Sequence, residues 1–172
     1  MPVKDLTEEP PSEISQALLV EARIYESFRD LPHPHILQYK GCVVRDGRIV
    51  ALALPKLPET LGARIEDETR PIDGVKVYEE VSAGLRYLHS LGLAHNDIAP
   101  SNIMLREDDT AVIIDFGSCA KEGEATSGTV SVGWSLNGPK SEKRKDKHAL
   151  EVLKKYLEDP LHRDPFHQYE EI

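Results

Sequence analysis

Asp97, Asn102 and Asp115 are the residues whose types and spacing could do chemistry in this chain of 172 residues. Two carboxylates and an amide offer hard oxygen ligands, which suit Mg2+ and, through it, a phosphate. Between the two acids the chain reads IAPSNIMLREDDTAVII. That run predicts a loop, a short apolar stretch, a turn at Glu107-Asp108-Asp109 and a strand at Ala111-Val112-Ile113-Ile114, which is a hairpin with polar groups at both ends. Asp97 and Asn102 would leave the loop near one rim and Asp115 would emerge at the end of the returning strand. All three could then converge on one Mg-phosphate.

Elements on either side must hold that hairpin. Ser12 can cap a helix whose apolar positions fall at Ile14, Ala17, Leu18, Ile24, Tyr25 and Phe28, a 3.6-residue stripe that also carries Glu21. A carboxylate on a buried face needs a cation or hydrogen-bond donors, because leaving it bare costs several kcal/mol or forces protonation; Lys4 is the candidate partner. The prolines of Leu31-Pro32-His33-Pro34-His35 end the helix. Two histidines without a third ligand nearby read as a turn rather than a metal site. Strands follow from Ile36 through Val44 and from Arg48 through Leu54, joined by the Asp46-Gly47 turn. Asp73 can cap a second long helix with Val77, Val81, Leu85 and Leu88 inward and Gly92 as its stop. A last amphipathic helix is expected from Glu142 to Leu157, with Ala149, Leu150, Leu153 and Leu157 inward.

Composition narrows the classes of partner. Thirty acidic residues against 21 Lys and Arg give a net charge of −9, which argues against a surface that tracks nucleic-acid phosphates. The basic run Lys140–Lys147 is interrupted by Glu142 and Asp146 and reads as a solvated helix start. Cys42 and Cys119 lack metal-site or disulfide spacing, which fits a reducing compartment. No apolar run approaches the roughly 18 residues of a membrane span, and MPVKDLTEEPPSE has no signal-peptide core. The expectation is a cytoplasmic or nuclear protein with no membrane partner.

His95-Asn96-Asp97-Ile98-Ala99-Pro100-Ser101-Asn102, with Asp115-Phe116-Gly117 following eighteen positions after Asp97, resembles the catalytic core of the protein kinase family, H-R-D-L-x-x-x-N before D-F-G. A lone D-F-G or His-x-Asp would carry little; the ordered set behind a helix carries the resemblance. It implies an α+β, kinase-like fold: a reduced N-lobe antiparallel sheet with one helix over residues 1–57, a truncated and mostly helical C-lobe over 58–157, and a flexible tail over 158–172. It further implies that Asp97 orients an attacking hydroxyl, that Asn102 and Asp115 hold Mg2+, and that ATP is the nucleotide. Lys4, seventeen residues before Glu21, would pair with it and face the phosphates. Ala53, Leu54 and Leu57 would form the adenine-facing hinge, where Pro55 and Pro58 limit the available donors. Asp146 would bond the catalytic-loop backbone.

Departures from the family pattern keep other functions open. No G-x-G-x-x-G precedes Lys4, Asn96 stands where the family has arginine, Ala99 stands where serine/threonine kinases have lysine, and no A-P-E follows Asp115. Gly128-Thr129 and Gly133-Trp134 resemble remnants of a peptide-seating loop, with Trp134 read first as a core anchor. The primary expectation is an ATP- and Mg-dependent phosphotransferase with a protein or small-molecule hydroxyl as acceptor. One alternative is a catalytically impaired pseudokinase that binds nucleotide, a partner or a second copy through an uncovered N-lobe sheet edge. Another is a cavity redirected to a non-phosphoryl reaction on a small molecule, with Asp97 as acid or base.

Overall fold

Asp73 starts the longest helix among the described residues of the structure, a computed structural model that describes residues 13–126 and 130–158. Its carboxylate accepts from the Lys76 amide at 3.0 Å, the N-cap bond that the sequence predicts. The helix runs Gly74–Ser90 and buries Val77, Val81, Leu85 and Leu88. Gly92 then takes φ +77, the left-handed geometry that closes helix ends.

In chain order the elements are α1 (Glu13–Ser27), β1 (Gly41–Arg45), β2 (Arg48–Ala53), β3 (Glu59–Thr60), α2 (Leu61–Glu66) and α3 (Gly74–Ser90), then β4 (Leu93–Ala94), β5 (Ile103–Leu105), β6 (Ala111–Ile113), β7 (Ala120–Lys121) and α4 (Lys143–Glu158). They form three small antiparallel sheets, β1-β2, β3-β5-β6 and β4-β7. The predicted hairpin is β5-β6, with Ile103 opposite Ile113 and Leu105 opposite Ala111. Asp46 and Gly47 both have positive φ, 51° and 73°, as the tight β1-β2 turn requires.

Several expectations are corrected. The first strand begins at Gly41 instead of Ile36. Residues 36–39 dock on β6 instead: Ile113 N–H donates to His35 O and Leu37 N–H to Ile113 O, both at 3.0 Å, so Ile36, Leu37 and Tyr39 fill the core. Gly41, at φ +127, turns the chain into β1. Ala17 is exposed; among the described side chains the core is met by the later turns of α1, where Ala22 and Tyr25 are buried, and by Phe28 just beyond the helix. The basic run is not wholly solvated, because Lys145 is 1 % exposed and its ammonium donates to Gly138 O at 2.7 Å. The short elements α2, β3, β4 and β7 are additions, too brief to leave a periodic pattern. Thr60 caps α2 by accepting from Ala63 N–H at 3.1 Å.

One apolar cluster runs from Tyr25 of α1 and Phe28 just after it through α3 and the β5-β6 hairpin to Ala149, Val152 and Leu153 of α4. Trp134 is 7 % exposed and meets the Tyr156 ring edge-on at 5.1 Å, the expected anchor. No described helix is long and apolar enough to cross a membrane. Lys4, Ser12, Gly128, Thr129 and the expected tail beyond Glu158 lie outside the described residues.

Gly84 marks where α3 approaches the chain ahead of β1. A methyl group there would lie 2.9 Å from His35 O and 2.9 Å from Ile113 Cδ1. Gly84→Ala is therefore expected to destabilise the fold by about 1–3 kcal/mol despite the better helix propensity of alanine. Urea unfolding checks this, and a stabilised variant would contradict the packing.

Candidate active site

The loop between β4 and β5 brings Asp97 and Asn102 into direct contact. A 3-10 turn over Pro100–Asn102 folds the loop back so that Asn102 Nδ2 donates to Asp97 O at 2.9 Å and to Asp97 Oδ2 at 2.8 Å. With Nδ2 so committed, the Asn102 Oδ1 faces the other way. The second carboxylate oxygen of Asp97 accepts from Ser131 N–H at 2.6 Å, a contact that the spacing of motifs does not reveal. Both acid and amide are 8 % exposed, so their hydrogen bonds form away from bulk water, where they hold geometry best.

Asp115 follows β6 and is joined to the loop through the backbone: Ile114 N–H donates to Asn102 O at 3.0 Å. It adopts φ +59, a conformation that aspartate tolerates better than most residues, and its Oδ1 accepts from Gly117 N–H at 3.1 Å. Its side chain is exposed. The structure thus pairs Asp97 with Asn102 directly and sets Asp115 on the adjoining strand end. No side-chain hydrogen bond joins Asp115 to either.

Asp146 of α4, fully buried, supports the loop from below. Its carboxylate accepts from His95 N–H at 2.9 Å and Asn96 N–H at 2.7 Å, and its Oδ2 lies 2.8 Å from His89 Nε2. His95 Nδ1 accepts from Asp97 N–H at 3.3 Å, which leaves Nε2–H to donate to Ile114 O at 3.0 Å. The imidazole is thereby fixed in one tautomer and oriented by the backbone. Cys119 is 2 % exposed; burial, with Asp146 nearby, pushes its thiol well above the ordinary value, so it stays an unreactive thiol.

Glu21 reaches the same turn from α1 by accepting from Phe116 N–H at 3.3 Å. The pairing expected with Lys4 lies outside the described residues. Burial raises the Glu21 pKa above 4.5, and the Asp115 charge adds to the rise. Tyr25 beneath it has a buried hydroxyl with no hydrogen-bond partner among the described residues. Because folded Glu21 holds its proton more tightly than the unfolded chain does, stability falls as pH rises from about 4.5 through the folded pKa. Glu21→Gln keeps an acceptor for Phe116 and is expected to melt higher than the parent at neutral pH, with the gap closing in acid. Melting curves at both pH values check this; a gap that ignores pH would contradict it.

The expected hinge is split in character. Ala53 ends β2, and its carbonyl already accepts from Lys40 N–H at 2.9 Å. Leu54 is 37 % exposed, whereas Leu57 is buried in a small cluster with Leu37 and Val112. Leu57 is thus an apolar wall. Just beyond it, Arg64 joins Glu59 Oε1 at 2.7 Å to Asp109 Oδ1 at 2.5 Å, tying β3 and α2 to the hairpin turn.

Among the described residues no group of three or more His, Cys, Asp or Glu side chains could hold a metal. The candidate donors are instead one carboxylate and one amide oxygen, the chemistry that suits a hard cation completed by phosphate and water. Asn96, read in the sequence only as a missing arginine, is bonded through its amide nitrogen, its backbone and its side-chain oxygen; its left-handed φ of +66 is one that asparagine adopts more readily than most.

Comparison with known families matches residues 1–136 to the protein kinase domain. The chain is 34 % identical over 115 residues to the serine/threonine-protein kinase Tao of Drosophila melanogaster, covering 65 % of this chain and 11 % of that protein. It is 34 % identical over 103 residues to the serine/threonine-protein kinase US3 homolog of equine herpesvirus 1 (strain Ab4p), covering 58 % and 26 %. Over 114 residues it is 29 % identical to a probable CTD kinase subunit alpha homolog of Encephalitozoon cuniculi, covering 64 % and 35 %. The chain therefore spans well under half the length of these relatives. A catalytic-loop acid bonded to its amide, a left-handed Asp115 beside them and a buried helix carboxylate beneath all fall within the matched region or pack on it, and the chain belongs to the protein kinase domain family.

Proposed function

We propose that this chain is an ATP- and Mg2+-dependent phosphotransferase that acts on a hydroxyl of a protein or a small molecule. The observation that carries the reading is the Asn102 amide bonded to both the backbone and the carboxylate of Asp97, with Asp115 held on the neighbouring strand end. Asn102 Oδ1 and the Asp115 carboxylate would hold Mg2+, which when bound supplies charge neutralisation at the phosphates. Asp97 would orient the acceptor hydroxyl and receive its proton at Oδ1, once Ser131 N–H yields that position. Leu57 would pack against the base, while Ala53 and Leu54 would offer it backbone groups. Lys4 and Glu21 are assigned to the phosphate side by the family pattern. The test is ligand linkage: Mg2+ and ATP together should raise the melting temperature, since occupancy at 100-fold over Kd stabilises by about 2.7 kcal/mol. No shift at millimolar MgATP would end the proposal.

A second reading is a binding module without turnover. It is favoured by the Asp97 carboxylate, both of whose oxygens are engaged by the protein's own donors, and by Val43, Val44 and Val50, exposed on β1 and β2. A partner or second copy would cover those valines. MgATP stabilisation with no phosphate transfer, together with dimerisation in sedimentation, would favour this reading over the first.

A further inference from the structure

Asp97 and Asp115 lie on different segments, so any chemistry between them depends on what fixes one segment against the other. Two consecutive loop residues bracket the Asp115 turn. His95 Nε2–H donates to Ile114 O at 3.0 Å, just before Asp115, and Asn96 Nδ2 donates to Ser118 O at 2.9 Å, just beyond Gly117. Ala94 O and Ser141 Oγ also lie 2.9 Å from this Nδ2, so its two hydrogens are shared among three acceptors, and the Oδ1 of the same carboxamide accepts from Glu142 N–H at 3.0 Å. The Asn96 backbone joins in, donating to Asp146 and accepting from Ser135 Oγ at 2.7 Å. One buried side chain thus bonds the catalytic loop, the segment after Asp115 and the residues that open α4.

A group that only needed the left-handed backbone of position 96 would not need this side chain. Glycine accepts φ +66 at no steric cost, but it cannot bond Ser118 or Glu142. Removing the carboxamide takes one buried hydrogen bond from the Ser118 carbonyl and one from the Glu142 amide, and polar groups that lose a buried bond shift to recover it.

We propose that Asn96 is a positioning residue: its carboxamide sets the Asp115 turn against Asp97, and so fixes the cation-holding oxygens relative to the acid. The proposal rests on the phosphotransferase reading for its kinetic consequence, and on geometry alone for its structural one.

Two variants test it in the full chain. Asn96→Gly keeps the backbone conformation and removes the carboxamide; Asn96→Asp keeps the shape and replaces the donors by an acceptor. With MgATP as probe, both should need several-fold more Mg2+ for half-maximal turnover and lose at least tenfold in kcat. A residue that merely stabilised the fold would lower the melting temperature and leave the Mg2+ requirement of the folded fraction unchanged, and that result would overturn the proposal. Asn96→Gly behaving as the parent would overturn it too. Amide hydrogen exchange separates this from failure of the phosphotransferase reading, because it needs no turnover. Exchange should quicken at Phe116–Ala120 and Asp97 while α3 stays protected. Uniform quickening, or none, would refute the positioning role even if the parent proves inactive. If Asn96→Asp does not fold, Asn96→Gly decides both arms.

Discussion

Asp146→Ala should remove a large part of the stability of the fold. The carboxylate is fully buried and takes two backbone N–H donors, those of His95 and Asn96, together with His89. Truncation strands both amides in a site that water cannot readily enter, and a buried unsatisfied donor costs about 1–3 kcal/mol. The sum is a sizeable fraction of the 5–15 kcal/mol, roughly, that a domain commands. Asp146→Asn should cost less, because one oxygen still accepts while the new NH2 faces the other amide. Urea unfolding of the three proteins orders them; a loss below about 1 kcal/mol for the alanine variant would mean that the loop is held by something else.

The second large effect is on turnover. Asp97→Asn preserves volume and can still accept from Asn102, so the loop should keep its shape. It cannot take a proton, and a positioned general base typically contributes about 10²–10⁴-fold. Phosphate transfer is expected to fall by that order while MgATP binds within a few-fold of the parent. The new NH2 also has no bond to offer the Ser131 amide, so the contact at Asp97 Oδ1 should open. Undiminished transfer by Asp97→Asn would remove Asp97 from the chemistry.

The parts legible in the sequence were those that repeat or occur at fixed spacing. The Val77, Val81, Leu85 and Leu88 stripe gave α3 with its cap and stop because helix periodicity and Asp73 agree with each other. The β5-β6 hairpin and the Asp46-Gly47 turn were legible for the same reason. Asp146 came from the family pattern rather than from its own surroundings, where it sits inside a basic run. What escaped was tertiary. Residues 36–39 carry a strand-like pattern, but their partners on β6 lie more than seventy positions away and use them as a single parallel bridge. Lys145 is basic and reads as exposed, yet its ammonium donates a hydrogen bond to Gly138 O inside the fold. Asn96 read as a loss because its value lies in Ser118, Ser141 and Glu142, none of which its neighbours in the chain reveal. Glu21, expected to need a cation or donors, accepts from Phe116 N–H, a donor ninety-five positions away that its helix pattern does not reveal.

The most direct test of the central claim is a thermal-shift comparison of the parent and Asp115→Asn, with Mg2+ alone, ATP alone and both together. The account predicts a rise for the parent only when both are present, and its loss when the Asp115 charge is removed. An equal rise in both proteins would place the nucleotide away from Asp97, Asn102 and Asp115, and no rise in either would contradict the assignment of a MgATP site to this cleft.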